Sequence, residues 1–280
     1  MDSRFGLSRL IKKAPLVGAF LLSAFYLGAP RAECPLPPKL PLATVTRVVD
    51  GDTLRLADGR SVRLIGLNAP EVGRKGRPSE PYAMAAKRRL QSLVKEAGGQ
   101  LIVVPGAQPR DHYGRALANA YAPNGQNLEA QLLQEGLGYQ VVIPPNDTLH
   151  ACHASAEQQA RLAGKGLWQG FSAQPARALA KPGFALVTGT VIKVEHNGGG
   201  LWLELDGNLV LQVAKGDAQA FDLAALQGLV GQTVEARGWV VDRARRSGGA
   251  ADQSRWMLRL TAPAMLRDTS TEAKVVGAVP

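Results

Sequence analysis

Four short segments carry the side chains best suited to chemistry: Asp50-Gly51-Asp52-Thr53, Arg63, Asn68-Ala69-Pro70-Glu71 and Asp111-His112-Tyr113-Gly114-Arg115. Together they supply carboxylate, amide and carbonyl oxygens and two guanidinium groups. Hard oxygen donors suit calcium or magnesium. The planar fork of an arginine matches the oxygens of a phosphate. A divalent cation beside two arginines would answer the negative charge that builds on phosphorus during a displacement. Glu71 adds a carboxylate able to orient water or accept its proton. Taken alone, Asp50-Gly51-Asp52 reads first as a tight turn made of favoured turn residues, and the alternative for each arginine is a surface or strand-edge salt bridge, a poor fit for Arg63 between apolar residues of a strand. The case for a site rests on the segments meeting.

Meeting requires a scaffold. Residues 33–42 are proline-rich and read as an extended lead-in. Strands are expected at 43–49, 53–57 and 61–66, the last two joined by Asp58-Gly59, a strong hairpin signal. A Gly/Pro-rich loop at 72–80 precedes a helix at 81–97, whose Ala, Leu and Met positions share one face. Strands at 101–104 and 115–122 follow. Then come a helix at 127–135 stopped by Gly136, and a third helix running to about 163, capped by Asn146-Asp147-Thr148. Three strands, a helix and two strands is the order of the five-stranded Greek-key barrel called the OB-fold. Closure of such a barrel can bring the four segments to one rim.

In this order and at these separations, the segments resemble the staphylococcal nuclease (thermonuclease) family over residues 43–168, including the closing Gly166-Leu167-Trp168. The resemblance implies a calcium-dependent nuclease that hydrolyses phosphodiester bonds of DNA or RNA and leaves 3′-phosphate ends. It implies Asp52 as the main calcium carboxylate, with Asn68 and the backbone carbonyl of Ala69 as further ligands. It implies Glu71 as the group that polarises the attacking water, and Arg63 and Arg115 as the phosphate clamp. His112 and Tyr113 would contact substrate.

Three positions depart from the family pattern. Asn68 stands where a carboxylate is usual, which removes a ligand charge and weakens calcium affinity. His112 stands where the best-known member has lysine. Val141 and Ile143 stand where tyrosines line the nucleotide pocket, with Tyr139 a nearby substitute. These departures motivate a second reading, a nucleic-acid-binding protein of the cell envelope that does not cut.

Residues 170–183 are rich in Ala and Pro and read as a linker. Beyond them, strands at 186–194, 201–205 and 209–213, a helix at 218–229, and strands at 233–241 and 256–260 repeat the same order. The fold expected is therefore α+β: a nuclease-type OB barrel with three helices at 43–169, then a smaller OB-like β-barrel at 184–267 and a flexible tail at 268–280. Trp202, Trp239 and Trp256 read first as fillers of the second core, with base stacking as the alternative. The basic loop holding Arg243, Arg245, Arg246 and Arg255 is either a nucleic-acid contact or a solvated charge run.

Residues 1–32 combine Arg4, Arg9, Lys12 and Lys13 with an apolar run at 14–29. This is the pattern of a secretory signal peptide, with an inner-membrane anchor as the alternative. A periplasmic or secreted location follows, or an anchored one facing the periplasm. The net charge of +10 falls once this segment is set aside, to 28 basic against 22 acidic residues, or +6. The charge argument for a polyanionic partner is correspondingly modest, and no protein partner is expected. In an oxidising compartment Cys34 and Cys152 are most simply a disulfide. Clustered His150, Cys152 and His153 leave a metal site as the alternative, though one short of four ligands.

Overall fold

The computed structural model describes residues 34–35, 37–74, 76–245 and 254–269. The expected signal peptide or anchor, Arg246 and most of the expected tail lie outside these.

Strands β1 (Leu42–Asp50), β2 (Thr53–Leu56) and β3 (Ser61–Leu64) form a meander, followed by the short β4 (Leu67–Asn68) and helix α1 (Ala83–Glu96). Strands β5 (Gln100–Arg110) and β6 (Ala116–Tyr121) close the barrel in the order β1-β2-β3-β6-β5, with β3 and β6 parallel and β5 returning to β1. That order and the parallel pair are those of the expected OB barrel. The β2–β3 turn forms where Asp58 accepts the amide of Arg60 at 3.0 Å and Gly59 takes a φ of 86°. Inward residues alternate along the strands, giving Leu54, Leu56, Val62, Leu64 and Leu101. Against them α1 packs Leu90, Leu93 and Val94, and α2 (Leu128–Gln134) packs Leu128, Leu132 and Leu133. Asn127 caps α2 by accepting the amide of Ala130 at 2.8 Å. Strand β7 (Tyr139–Gln140) pairs with β4 and leads to α3 (His150–Leu162).

The expected cap of α3 is not formed. The helix starts at His150 with no side-chain cap. Asn146 instead donates to and accepts from the backbone of Gln108, at 2.9 and 2.8 Å, tying this loop to the end of β5. The disulfide between Cys34 and Cys152 joins the lead-in to α3, with a Cα separation of 5.2 Å. A native disulfide typically contributes about 2–4 kcal/mol.

The second barrel repeats the topology. Strands β9 (Gly183–Asn197), β10 (Gly200–Leu205), β11 (Leu209–Ala214), β12 (Thr233–Asp242) and β13 (Trp256–Arg259) run in the order β9-β10-β11-β13-β12, and β12 closes onto β9. Here too the β11–β13 pair is parallel. Two short strands flank the ring, β8 (Gln174–Pro175) beside β9 and β14 (Leu266–Asp268) beside β12. The stretch expected as a linker thus adds a strand pair, and its Ala176 is buried in the second core. The single helix expected at 218–229 is divided into a 3-10 turn, Ala218–Ala220, and α4 (Leu223–Gln227). Asp222 accepts the amide of Ala225 at 3.0 Å and so starts a new helix inside the expected one.

The two barrels share buried surface. Val141 and Val142, which precede α3, belong to the same apolar cluster as the second barrel core. Thr261 donates to the carbonyl of Val142 at 2.6 Å. Along β12 alternate residues face α3: Glu235 takes a bidentate pair from Arg161, both bonds 2.9 Å, and Arg237 reaches Glu157 at 2.6 Å. Both pairs are largely buried. Replacing Arg237 by alanine strands the Glu157 carboxylate without its charge partner. The expected loss is about 3–5 kcal/mol, read as a fall in the urea midpoint of the whole chain. A midpoint unchanged from the parent would rule out a structural role for this pair.

Candidate active site

Asp52 sits in the β1–β2 turn immediately before β2 and is buried. Its Oδ2 accepts the backbone N–H of Ala69 at 2.9 Å and pairs with the Arg63 guanidinium at 3.0 Å, while Oδ1 accepts the Thr53 hydroxyl at 3.0 Å. One carboxylate therefore joins the β1–β2 turn, β3 and the segment after β4. The turn can approach so closely because residue 51 is glycine: a Cβ there would stand 2.6 Å from that of Ala69 and 2.7 Å from that of Ala86.

Arg63 reaches across the site from β3. It donates to the carbonyls of Leu64 and Leu67 at 2.8 and 2.6 Å and to Asn68 Oδ1 at 3.2 Å. Its charge thus lies between Asp52 and Asn68. Burial pushes the Asp52 carboxyl up to about 6, the nearby Arg63 charge opposes this, and Asp50 pushes it further up. Asp50 is also buried and has an exposed arginine, Arg74, at 3.3 Å.

Glu71 follows the short β4 segment. Its backbone is fixed by reciprocal bonds to Glu80: the Glu71 amide donates to the Glu80 carboxylate at 2.8 Å, and the Glu80 amide donates to the Glu71 carbonyl at 3.0 Å. Burial raises the Glu71 carboxyl above its usual range, and repulsion from Asp50 adds to this. Arg115 precedes β6 and is held by Asp111, which accepts its Nε at 2.7 Å and its backbone amide at 2.9 Å. Burial alone would raise Asp111, yet these bonds keep it below the ordinary carboxylate range. Arg115 also lies 5.5 Å from the ring of Tyr113, which is 74% exposed and meets the His112 ring at 3.7 Å with a 43° tilt.

Arg63, Asn68, Glu71, His112, Tyr113 and Arg115 all line one cavity of about 620 Å³. Asp52 and Ala69 are attached to it from below through Arg63. The structure therefore gathers the residues singled out from sequence, with Cys34 and Cys152 apart from them. A second cavity, about 570 Å³, shares Tyr113 and Arg115 with the first and is lined by Arg55, Arg60, Arg74 and Arg110.

Three neighbours of the site were not among the residues assigned to it from sequence. Asp50 was legible in the same Asp-Gly-Asp triplet, as a second buried carboxylate. Arg74 carried no local signal, and it reaches Asp50 only because the 72–80 loop folds back. Trp239, expected as core, is instead 41% exposed and lines the first cavity. Trp256 is a core residue, as expected, at 4%. In the basic loop, Arg255 pairs with Asp242 at 2.9 Å, and Arg243 bonds the carbonyl of Ser254 and lies 5.5 Å from the Trp202 ring. The side chain of Arg245 lies outside the described residues.

Among the described residues, Cys34, Cys152 and His153 are close enough to share a metal, with ligand atoms within 4.8 Å. The two sulfurs are joined in the disulfide and present no thiolate, so this group offers one free donor. The Asp52 region is the better match to a cation. Its donors are hard oxygens, and the buried Asp52 carboxylate there is penalised for carrying charge.

His153 supports the site from behind. Its Nε2 lies 3.1 Å from Asn127 Oδ1, which fixes Nε2 as the protonated nitrogen, and its ring packs against Gly66 in the turn between β3 and β4. Burial depresses its pKa from 6.5 to about 4. This contribution to stability is complete above pH 6.5 and is lost as the pH falls through 4. Glu129, pushed by burial to about 8, gives the opposite slope between 4.5 and 8. The informative measurement is therefore the difference between parent and His153→Gln. Between pH 6.5 and 4 the parent should lose on the order of 3 kcal/mol relative to the variant, read from urea unfolding. Parallel profiles would show that His153 titrates normally in the folded chain.

The sequence matches the family described as staphylococcal nuclease homologue over residues 61–170. That span includes Arg63, Asn68, Glu71 and Arg115 but not Asp52 or the second barrel. The chain is 31% identical over 128 residues to a thermonuclease of Staphylococcus intermedius, covering 45% of this chain and 74% of that protein. It is 33% identical over 128 residues to a protein of Escherichia coli named "Uncharacterized endonuclease", covering 44% of this chain and 74% of the relative. Identity to an Aspergillus oryzae protein named "Probable endonuclease lcl3" is 29% over 125 residues, covering 40% of this chain and 44% of that protein.

Proposed function

We propose that this chain, which belongs to the family of staphylococcal nuclease homologues, is a calcium-dependent phosphodiesterase that cuts DNA or RNA and leaves 3′-phosphate ends. The observation that carries this reading is the convergence of Arg63, Glu71 and Arg115 on one cavity above the buried Asp52.

Asp52, Asn68 and the Ala69 carbonyl would hold the calcium ion. When bound, it would polarise a phosphate oxygen and offset charge. Arg115, held in place by Asp111, presents guanidinium N–H groups to the phosphate. Arg63 is spent on protein acceptors in the structure, and its share of the clamp requires it to trade Asn68 Oδ1 for a phosphate oxygen. Both guanidiniums bind more strongly as charge accumulates on the equatorial oxygens, which lowers the barrier rather than only binding substrate. Glu71, its carboxyl raised by burial above the usual range, takes the proton of the attacking water as the new P–O bond forms, and the 5′ oxygen leaves with a proton from solvent as its bond to phosphorus breaks. The second cavity, where Arg55, Arg110 and Arg115 outnumber the arginine-paired Asp50 and Asp58, would give the strand further phosphate contacts.

The disulfide supports an exported location, periplasmic or secreted, because such bonds persist in oxidising compartments. No described helix is long and apolar enough to cross a membrane.

A calcium titration of DNA cleavage by residues 33–280 tests this reading, run beside Glu71→Gln and Asn68→Asp. The parent should cut only with calcium, and Glu71→Gln should lose about 10²–10⁴ in rate. Asn68→Asp should lower the calcium concentration needed for half-maximal activity, since it restores a ligand charge. Salt-sensitive binding without cleavage at any calcium level would replace the enzyme by a binding protein.

A further inference from the structure

One wall of the cavity comes from the second barrel. Trp239 lies on β12 and shares the cavity with Arg63, Glu71, Tyr113 and Arg115. Successive residues of a strand point to opposite faces, so Glu235, Arg237 and Trp239 share one. The first two are pinned by Arg161 and Glu157 of α3. The third falls beyond the docked surface, over the cleft.

Trp239 is also braced. Its cross-strand partner on β9 is Phe184, with ring centroids 5.2 Å apart at 68°. Phe184 in turn meets Tyr139 at 5.6 Å. Tyr139 and Phe184 are only partly buried, and both pack against the small cluster of Ala160, Trp168 and Leu186 between the barrels. An indole held this way, 41% exposed in a cavity that two guanidinium groups also line, offers a preformed flat π-surface within the proposed substrate cavity. The first domain contributes the aromatic rings of His112 and Tyr113 to the cavity, and has aliphatic Val141 and Ile143 in its lining.

We infer that Trp239 is the stacking platform for a nucleobase of the bound strand, so that the second barrel contributes a substrate-binding residue to the active site and biases it toward unpaired nucleic acid. This rests on the proposed nuclease reading. Stacking on an aromatic side chain is tolerant of base identity but needs an open base face. In a duplex both faces are covered by neighbouring bases and only edges are open, so the wall acts on single strands.

The test uses the full mature chain carrying Glu71→Gln, with calcium present, and fluorescence anisotropy of two labelled oligonucleotides. One is a short single-stranded thymidine oligomer and the other its abasic counterpart. Trp239→Ala should weaken binding of the thymidine oligomer about tenfold or more, and Trp239→Phe should recover most of the loss. Affinity for the abasic strand should be the same with and without Trp239, because there is nothing to stack. An equal loss for both strands would mean that Trp239 only supports the barrel contact, and no loss for either would mean that it takes no part; both overturn the inference while leaving the nuclease reading intact. Failure of the Glu71→Gln parent to bind either oligonucleotide would bring down the nuclease reading, and this inference with it.

Discussion

The buried carboxylate of Asp52 is the constraint on which the site depends. It cannot be left without partners in the barrel interior, and the partners available are the amide of Ala69, the hydroxyl of Thr53 and the guanidinium of Arg63. Satisfying one acid therefore brings together the tip of the β1–β2 turn, the middle of the barrel and the segment that carries Asn68 and Glu71. The same demand explains Gly51, since any side chain there would hold those segments apart. It also explains the posture of Arg63, which stands as a local counter-charge between Asp52 and Asn68. Placing two carboxylates in a buried position is unfavourable without added positive charge, and this is the physical sense in which the donor set suits a cation.

The second barrel is joined to the first by side chains as well as by sequence. Its β12 strand turns one row of residues toward α3, and the row changes character along its length, from an acid to a base to an indole. The charged members are paired and buried, which fixes the register of the strand against the helix. An apolar contact alone would tolerate a slide of a residue pair, whereas bidentate Arg161–Glu235 geometry does not. Specificity of docking is thus set by polar pairs, while Val141 and Val142, entering the second core, supply the apolar area.

Much of the fold was legible because local chemistry was strong. Asp58-Gly59 marks a hairpin, Asn127 caps α2, and the alternation in both halves gives the strands of two barrels of the same order. The departures have identifiable causes. Asn146 looked like a helix cap but found a better partner in the Gln108 backbone, 38 residues away in sequence. Asp222 looked like part of a helix and instead began a new one. Asn146 was thus claimed by a distant strand, whereas Asp222 served its own turn as a local cap.

The site shows the same division. The sequence by itself determined the chemical inventory, namely the oxygen donors, the two arginines and Glu71, along with the order that places them on barrel strands and their turns. It did so because these features depend on residue type and short spacing. Only the tertiary structure decided that Arg63 is bonded to Asp52 and Asn68, that Arg74 folds back to Asp50, and that Trp239 stands in the cleft rather than in a core. The first two depend on how the first barrel closes on itself, and the third on which face of β12 meets α3. That is set by ion pairs spanning 74 and 80 residues, a separation over which local pattern carries no information about direction.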